Sequence, residues 1–234
     1  MMTSINPVLD FQPFIPPLDV PAHNTLPRRE LRGLKAAAQR LRECRRVLEK
    51  GGLNVVGEIL RTGDTFVEDE HYPPDDVYDA ETRAQYYYHA HRGVEREHGH
   101  FHTFVRVNTG AGADEPVHLI AISMDDYGWP QGLFAVNHWV TGGLWADAEN
   151  TIKLLPAFCV DHAFPSWPVN LWLAALLALY RPQVCALLRH RDRVIEARRA
   201  IDPGIDVLED RRIDITGFLS IDLEQAIDDV LAMA

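Results

Sequence analysis

The stretch YYYHAHRGVEREHGHFHTF, residues 86–104, decides the fold, because it has the pattern of two β-strands joined by a short polar turn. Aromatic and β-branched residues, which favour strands, dominate its two ends, and the turn-rich piece RGVERE lies between them. So short a connector joins antiparallel neighbours, since a parallel partner needs a crossover of about a dozen residues or more. The stretch therefore predicts a β-hairpin within residues 85–107.

The hairpin carries five of the eleven histidines of the chain: His89, His91, His98, His100 and His102. Residues two apart on a strand share a face, so each strand presents its own histidines on one side. A symmetric hairpin of even loop length pairs residues whose numbers sum to 189. This register predicts the pairs His91–His98, His89–His100, Tyr87–His102, Tyr88–Phe101 and Tyr86–Thr103.

Opposed imidazoles on one face are suited to hold a metal ion. Directly opposed Cβ atoms lie about 4.5–5.5 Å apart, and a Zn–N bond is about 2.0–2.1 Å, so several rings can reach one ion. We predict His89, His91 and His100 as the first ligands, with His98 and His102 as further ligands or as hydrogen-bond partners of ligands. Glu95 and Glu97, in or beside the turn, are candidate carboxylate ligands or acid–base groups.

The ligand types restrict the metal. No cysteine lies near these histidines, and imidazole with a carboxylate suits Zn, Fe(II), Mn, Ni or Cu. Two histidines with one carboxylate would indicate Fe(II) oxygen chemistry, whereas three histidines would indicate zinc-dependent hydrolysis or hydration. The expected cofactor is a divalent transition metal, with zinc or iron first, and the expected substrate is a small molecule.

Four further side chains are predicted to surround the imidazoles as hydrogen-bond partners. They are Tyr87 and Arg106 on the hairpin, and His118 and His138 on the segments that follow it. Groups of this kind orient metal-bound histidines.

The histidine cluster is also compatible with roles that need no metal. The rings could form a solvated sheet face, a buried structural network with Tyr87 and Arg106, or a pH-sensing cluster. The chain is therefore either a metalloenzyme or a non-catalytic protein that binds a metal or ligand or uses a structural His–Tyr network. An enzyme needs an open coordination position, whereas four protein ligands close a structural site.

The combination of QYYYHAHR (85–92), EHGHFHTF (97–104) and NHWVTG (137–142) resembles a family of bacterial proteins known as a domain of unknown function. The resemblance covers most of the chain, from the first helix to the end. It implies a soluble bacterial protein and supplies no activity.

The remaining pattern predicts an α+β domain. Strands are expected at 85–91, 98–107, 117–124 and 133–141, with a late strand near 213–219, and Pro73-Pro74 predicts a loop before them. Helices are expected at 28–50 and 55–60, at a buried apolar run over 171–180, at an amphipathic stretch after Pro182, and at a final helix opened by Asp222 and Gln225. The predicted fold is a central antiparallel meander of four to five strands with helices at both ends.

One domain boundary follows from composition. Residues 1–27 hold six prolines among apolar residues, which predicts an extended N-terminal arm, and residues 28–234 form a single α+β domain. We expect Phe11, Phe14 and Ile15 of the arm to pack onto that domain.

Charge and cysteine content indicate the compartment and the partners. With 23 Lys and Arg against 34 Asp and Glu, the net charge is −11, which disfavours nucleic acid and anionic membranes as partners. The basic stretch 28–50 is expected to be neutralised by the acids of 64–81. Cys44, Cys159 and Cys185 are odd in number and far apart, which suits a reducing, cytoplasmic location.

Overall fold

A computed structural model describes residues 18–22, 28–61, 65–90, 97–110, 112 and 114–233. Its centre is a six-stranded antiparallel sheet in which each strand pairs with the next along the chain, in the order β1 to β6. The strands are β1 (Tyr72–Tyr78), β2 (Ala84–His89), β3 (Gly99–Val107), β4 (Glu115–Met124), β5 (Pro130–Val136) and β6 (Ile215–Ser220).

The helices lie before β1, between β5 and β6, and after β6, and the separate runs of strands and helices agree with the predicted α+β class. They are α1 (Arg28–Lys50), α2 (Val55–Leu60), α3 (His138–Thr141), α4 (Ala148–Leu154), α5 (Trp167–Leu179), α6 (Arg181–Ile201) and α7 (Leu223–Ala232). The last strand, β6, lies between α6 and α7 in the sequence.

The two faces of the sheet differ in what they contact. Tyr86, Tyr88 and Phe101 lie on one face, in the main core formed with apolar residues of α1, α5, α6 and α7. On the other face, Phe134 belongs to a small separate cluster with Ala121, Val136 and Ile215. Because strand side chains alternate, Tyr87 and the neighbouring histidines project on this second face.

The expectation of four to five strands is wrong, because the structure has a sixth, β1, where the sequence indicates a loop. Pro73 and Pro74 suggest a chain break, yet Tyr72 pairs with Tyr88 and Val77 pairs with Tyr86. Proline cannot donate a ladder hydrogen bond, but it is tolerated on an edge strand, and β1 is at the edge of this sheet.

The predicted strand at 133–141 also extends too far at its C-terminal end. It stops at Val136, and residues 138–141 form the short helix α3. The side chain of Asn137 accepts a hydrogen bond from the backbone N–H of His138, so it caps the helix and ends the strand.

Several helices begin or end where the sequence predicts. The helices α1 and α2 have the predicted bounds, and the Asp222 side chain accepts a hydrogen bond from the backbone N–H of Gln225 at the start of α7. The apolar run lies in α5 except for its last residue, Tyr180, and within it Ala178 is exposed and Leu176 is fully buried. This helix packs along α1 and is a central part of the core.

Basic side chains of α1 form ion pairs with a different element from the one expected. Arg42 forms an ion pair with Asp228 at 2.6 Å, and Arg45 forms one with Glu224. Both acids lie on α7, not in the stretch 64–81, because α7 packs directly beside α1.

Residues 18–22, the described part of the predicted arm, contact the rest of the protein. Leu18 and Val20 pack against the main core, and the side-chain amide of Gln183 donates a hydrogen bond to the carbonyl oxygen of Pro21 at 2.9 Å. Phe11, Phe14 and Ile15, for which packing is expected, lie outside the described residues.

Within the described residues no single helix has the length and apolar character needed to cross a bilayer. The adjacent helices Trp167–Leu179 and Arg181–Ile201 meet those criteria only when taken as a pair, and they are bent by 71°.

Burial of α5 predicts a large cost for shortening a side chain in it. Leu176→Ala should lower the free energy of unfolding by ~2–5 kcal/mol, as large-to-small core changes do. The measurement is urea denaturation followed by circular dichroism. Val47→Ala on the exposed side of α1 is the control and should cost less than about 0.5 kcal/mol. A cost below about 1 kcal/mol for Leu176→Ala would contradict its central position.

Candidate metal centre

The pairing of β2 with β3 confirms the predicted register. His89 lies opposite His100, Tyr87 opposite His102, Tyr88 opposite Phe101 and Tyr86 opposite Thr103. Directly paired residues project on the same face of an antiparallel sheet. His89, His100, His102 and Tyr87 therefore share one face, and the aromatic residues of the core share the other.

Three imidazoles converge on this face: His89, His100 and His102, here called the triad. One nitrogen of each ring lies within 4.8 Å of a nitrogen of the other two. The Nε2 atoms of His89 and His100 are 2.7 Å apart, and the three ring centroids are separated by 4.5, 4.8 and 5.2 Å. Phe134 borders the triad, with its ring edge-on to His100 at 5.3 Å.

Glu97 orients His100. The Nδ1–H of His100 donates a hydrogen bond of 2.7 Å to Oε1 of Glu97, and both side chains are almost completely buried. A carboxylate only accepts, so the proton of neutral His100 is on Nδ1 and its Nε2 carries a lone pair. Glu97, a predicted ligand or acid–base group, therefore contacts the far side of an imidazole, as partners of metal-bound histidines commonly do.

His118 orients His102 in a comparable way. The Nδ1 of His102 lies 3.0 Å from Nε2 of His118. Burial, aided by the positive charge of Arg191, lowers the pKa of His118 to about 3, so this ring is neutral at physiological pH. His118 can therefore accept the Nδ1 proton of His102, which leaves the lone pair of neutral His102 on Nε2. The predicted partner role of His118 agrees with this contact.

His98 does not join the triad, and the prediction that it shares their face is wrong. Its Nδ1 lies 2.6 Å from the hydroxyl of Tyr88, and its ring packs against Phe66. The cause is that β3 begins only at Gly99. His98 lies in the bend before the strand, where side chains need not alternate. His91 and Glu95 lie outside the described residues.

Of the other predicted partners, Tyr87 lies near the triad, whereas Arg106 and His138 contact other groups. The ring of Tyr87 is 5.3 Å from those of His89 and His102. Arg106 contacts the side chain of Gln85 and the carbonyl oxygen of Asp114 instead. His138 lies on α3, where its ring nitrogens contact Glu209 and the carbonyl oxygen of Gly143, so it has a separate set of partners.

His71 is a residue near the triad that the sequence does not single out. Its ring stacks on Tyr87 with a centroid distance of 3.6 Å and meets the His89 ring edge-on at 5.6 Å. It precedes β1, which pairs with β2, in a region where Pro73 and Pro74 predict a loop. Recognition of the edge strand would have placed His71 beside the hairpin.

Comparison with protein families gives one match. Residues 35–221 match the family model described as "Domain of unknown function (DUF6969)". The chain belongs to this family. The match confirms the expectation of an uncharacterised family covering most of the chain. No curated protein and no solved structure matches the chain.

Gly99 allows the close approach of the strands that hold the triad. A Cβ atom at this position would lie 2.5 Å from the hydroxyl oxygen of Tyr88 and 2.7 Å from the carbonyl oxygen of His89. Gly99→Ala should therefore lower the free energy of unfolding by ~1–3 kcal/mol, as overpacking does.

The control for this variant is Gly33→Ala in α1, where an added Cβ meets nothing within 4 Å. It should be neutral or stabilising by up to about 1 kcal/mol, since alanine is the better helix former. Thermal or urea unfolding of both variants checks the prediction. Equal stability of Gly99→Ala and the wild type would contradict the tight strand contact.

Proposed function

We propose that this protein binds one divalent transition metal ion, zinc first, through His89, His100 and His102. The proposal rests on the convergence of three imidazoles. Two of them, His100 and His102, each have a hydrogen-bond partner at Nδ1. Glu97 holds Nδ1 of His100, and His118 holds Nδ1 of His102. Such contacts fix the tautomer and the ring orientation that a metal ligand needs.

The distances between the ring nitrogens of the triad allow one zinc ion to bind after small movements of the rings. Nitrogens bound to one tetrahedral zinc ion at about 2.0–2.1 Å are about 3.3 Å apart. The Nε2 atoms of His89 and His100, at 2.7 Å, would separate slightly, and the wider pairs, up to 4.8 Å, would close. Because His100 Nε2 is an acceptor, His89 donates the single proton between them. A metal ion would take the place of that proton.

The donor set favours zinc over iron. Fe(II) oxygenases use two histidines and one carboxylate, whereas three histidines are a common catalytic zinc set. Here the nearby carboxylate, Glu97, is engaged with Nδ1 of His100. The thiols of Cys44, Cys159 and Cys185 are not part of the ligand group, which favours imidazole-preferring metals.

The proposed activity is metal-dependent hydrolysis or hydration of a small molecule. A zinc ion with three protein ligands keeps one position for water, whose pKa it lowers to about 7. His89 is only partly buried, so the triad has a side that faces solvent. Within the described part of the chain, this arrangement supports an open, reactive site over one closed by four protein ligands.

A second candidate function is a structural His–Tyr network without metal. It is favoured by the direct contact between His89 and His100, and by the low exposure, 1%, of His100 and His102. Buried imidazoles that bond each other and pack against Tyr87 would stabilise the hairpin without an ion.

Metal binding by matched variants separates the two functions. Untagged protein is equilibrated with zinc and dialysed, and the bound metal is measured by mass spectrometry, with affinity from competition with a chelator. The wild type should retain one ion per chain. His89→Gln and His100→Gln should each lower the affinity at least about 100-fold, and Glu97→Gln should lower it about 10–100-fold, as loss of the partner of a ligand does.

His98→Gln is the matched control, because His98 lies in the same histidine-rich hairpin but contacts Tyr88 instead of the triad. It should retain wild-type affinity, and circular dichroism should show that all variants are folded. A wild type that retains no zinc, Fe(II), Mn, Ni or Cu would contradict the proposal and favour the structural network. Equal losses in all variants would indicate nonspecific binding by histidines.

A further inference from the structure

His71 is held by a chain of side-chain hydrogen bonds that crosses the face of the sheet bearing the triad. Arg106 donates to Oε1 of Gln85 at 2.7 Å, and the amide of Gln85 donates to Oδ2 of Asp76 at 2.7 Å. The other oxygen of Asp76 accepts from Nδ1 of His71 at 2.9 Å. Three side chains, one on each of β1, β2 and β3, thus fix the position of the His71 imidazole.

The backbone at Asp76 is adapted to this contact. Its φ is 56°, in the left-handed region that aspartate enters more readily than most residues, and the β1–β2 register is irregular between Tyr72 and Val77. This conformation places the carboxylate where it bonds both His71 and Gln85.

The contact with Asp76 decides which nitrogen of His71 can accept a hydrogen bond. The carboxylate accepts from Nδ1–H, so Nε2 of the neutral ring carries the lone pair. Among the described residues, Asp76 is the only hydrogen-bond partner of His71. Nε2 is thus left to bond a group that is not one of those residues.

His71 also lies on the open side of the triad. His100 and His102 are buried, His89 is half-buried, and the side chain of His71 is 38% exposed. The His71 ring meets the His89 ring edge-on at 5.6 Å. Of these four rings, that of His71 is the most exposed, and it lies next to the most exposed ring of the triad.

We infer that the fourth coordination position of the proposed ion faces His71, and that Nε2 of His71 accepts a hydrogen bond from the ligand bound there. The inference rests on the proposed function. The ligands it selects are small molecules that coordinate the metal through one atom and carry an O–H or N–H group next to it. His71 is then a positioning residue for the substrate and not a metal ligand.

The geometry opposes a role of His71 as the fourth ligand. Its ring lies flat on Tyr87 at 3.6 Å, and within the described chain it contacts just one ring of the triad, that of His89. Four ligands of one tetrahedral ion would all approach one another at similar distances.

The test uses Co(II)-loaded protein, whose visible absorption reports exogenous ligands, and two probes of similar shape. Imidazole can coordinate through one nitrogen and donate from the other, whereas pyridine coordinates but has no N–H. The variant is His71→Phe, which keeps a ring to stack on Tyr87 but removes the acceptor. It should bind imidazole about tenfold more weakly than the wild type, the worth of one hydrogen bond, and bind pyridine equally within about twofold.

Two further variants complete the experiment. In Asp76→Asn the amide can donate to Nδ1, so Nε2 of His71 can carry the proton, and imidazole binding should again weaken. His162→Phe is the control, because His162 is a half-buried histidine whose ring contacts the carbonyl oxygen of Tyr78. It should leave both affinities unchanged.

The contrary outcomes overturn the inference in distinct ways. Unchanged imidazole binding in His71→Phe, or equal losses for both probes, would show that His71 accepts no hydrogen bond from the bound ligand. Loss of cobalt or an altered spectrum without added ligand would make His71 a metal ligand. If the wild type binds no metal, the proposed function itself fails and this inference fails with it.

Discussion

The antiparallel pairing of β2 with β3, with His89 opposite His100, is the constraint on which the rest of the structure depends. A strand has a period of two residues, so this register assigns every side chain of the hairpin to a face. Tyr86, Tyr88 and Phe101 face the helices and form the core. The imidazoles and Tyr87 face the other way. A shift by one residue would turn the histidines towards the helices and the core aromatic rings away from them. The hydrophobic core therefore determines the position of the polar site.

Two members of the triad, His100 and His102, lie on β3, whose backbone movement is limited by pairing with β2 on one side and β4 on the other. Its orientation depends on contacts at the outer nitrogens of the rings. Glu97, just before the second strand of the hairpin, holds His100, and His118, on the next strand, holds His102. These contacts cost little conformational entropy, because the strands already place the groups close together. A rigid scaffold with oriented imidazoles is the arrangement that metal sites require.

The hairpin, its register and most helices can be predicted from the sequence, because each rests on local periodicity or on a cap such as Asp222. The errors arise where a residue depends on distant partners. The position of His98 depends on where the ladder starts, which is at Gly99, a site where an added Cβ would clash with Tyr88. Pro73 and Pro74 are compatible with a strand only at a sheet edge, and edge position is a property of the whole sheet. The position of His71 could not be predicted from the sequence, because His71 reaches His89 only through the pairing of β1 with β2. The sequence also places Glu97 correctly near the imidazoles, but not at the nitrogen it contacts.

X-ray absorption at the zinc edge of zinc-loaded, untagged protein tests directly whether three imidazoles bind one metal ion. We expect three imidazole nitrogens at about 2.0–2.1 Å and one oxygen as the fourth neighbour. Changing His89 to Gln should abolish this coordination shell, and changing His98 to Gln should preserve it. A shell composed of oxygen atoms alone, or one that contains sulfur from Cys44, Cys159 or Cys185, would contradict the account.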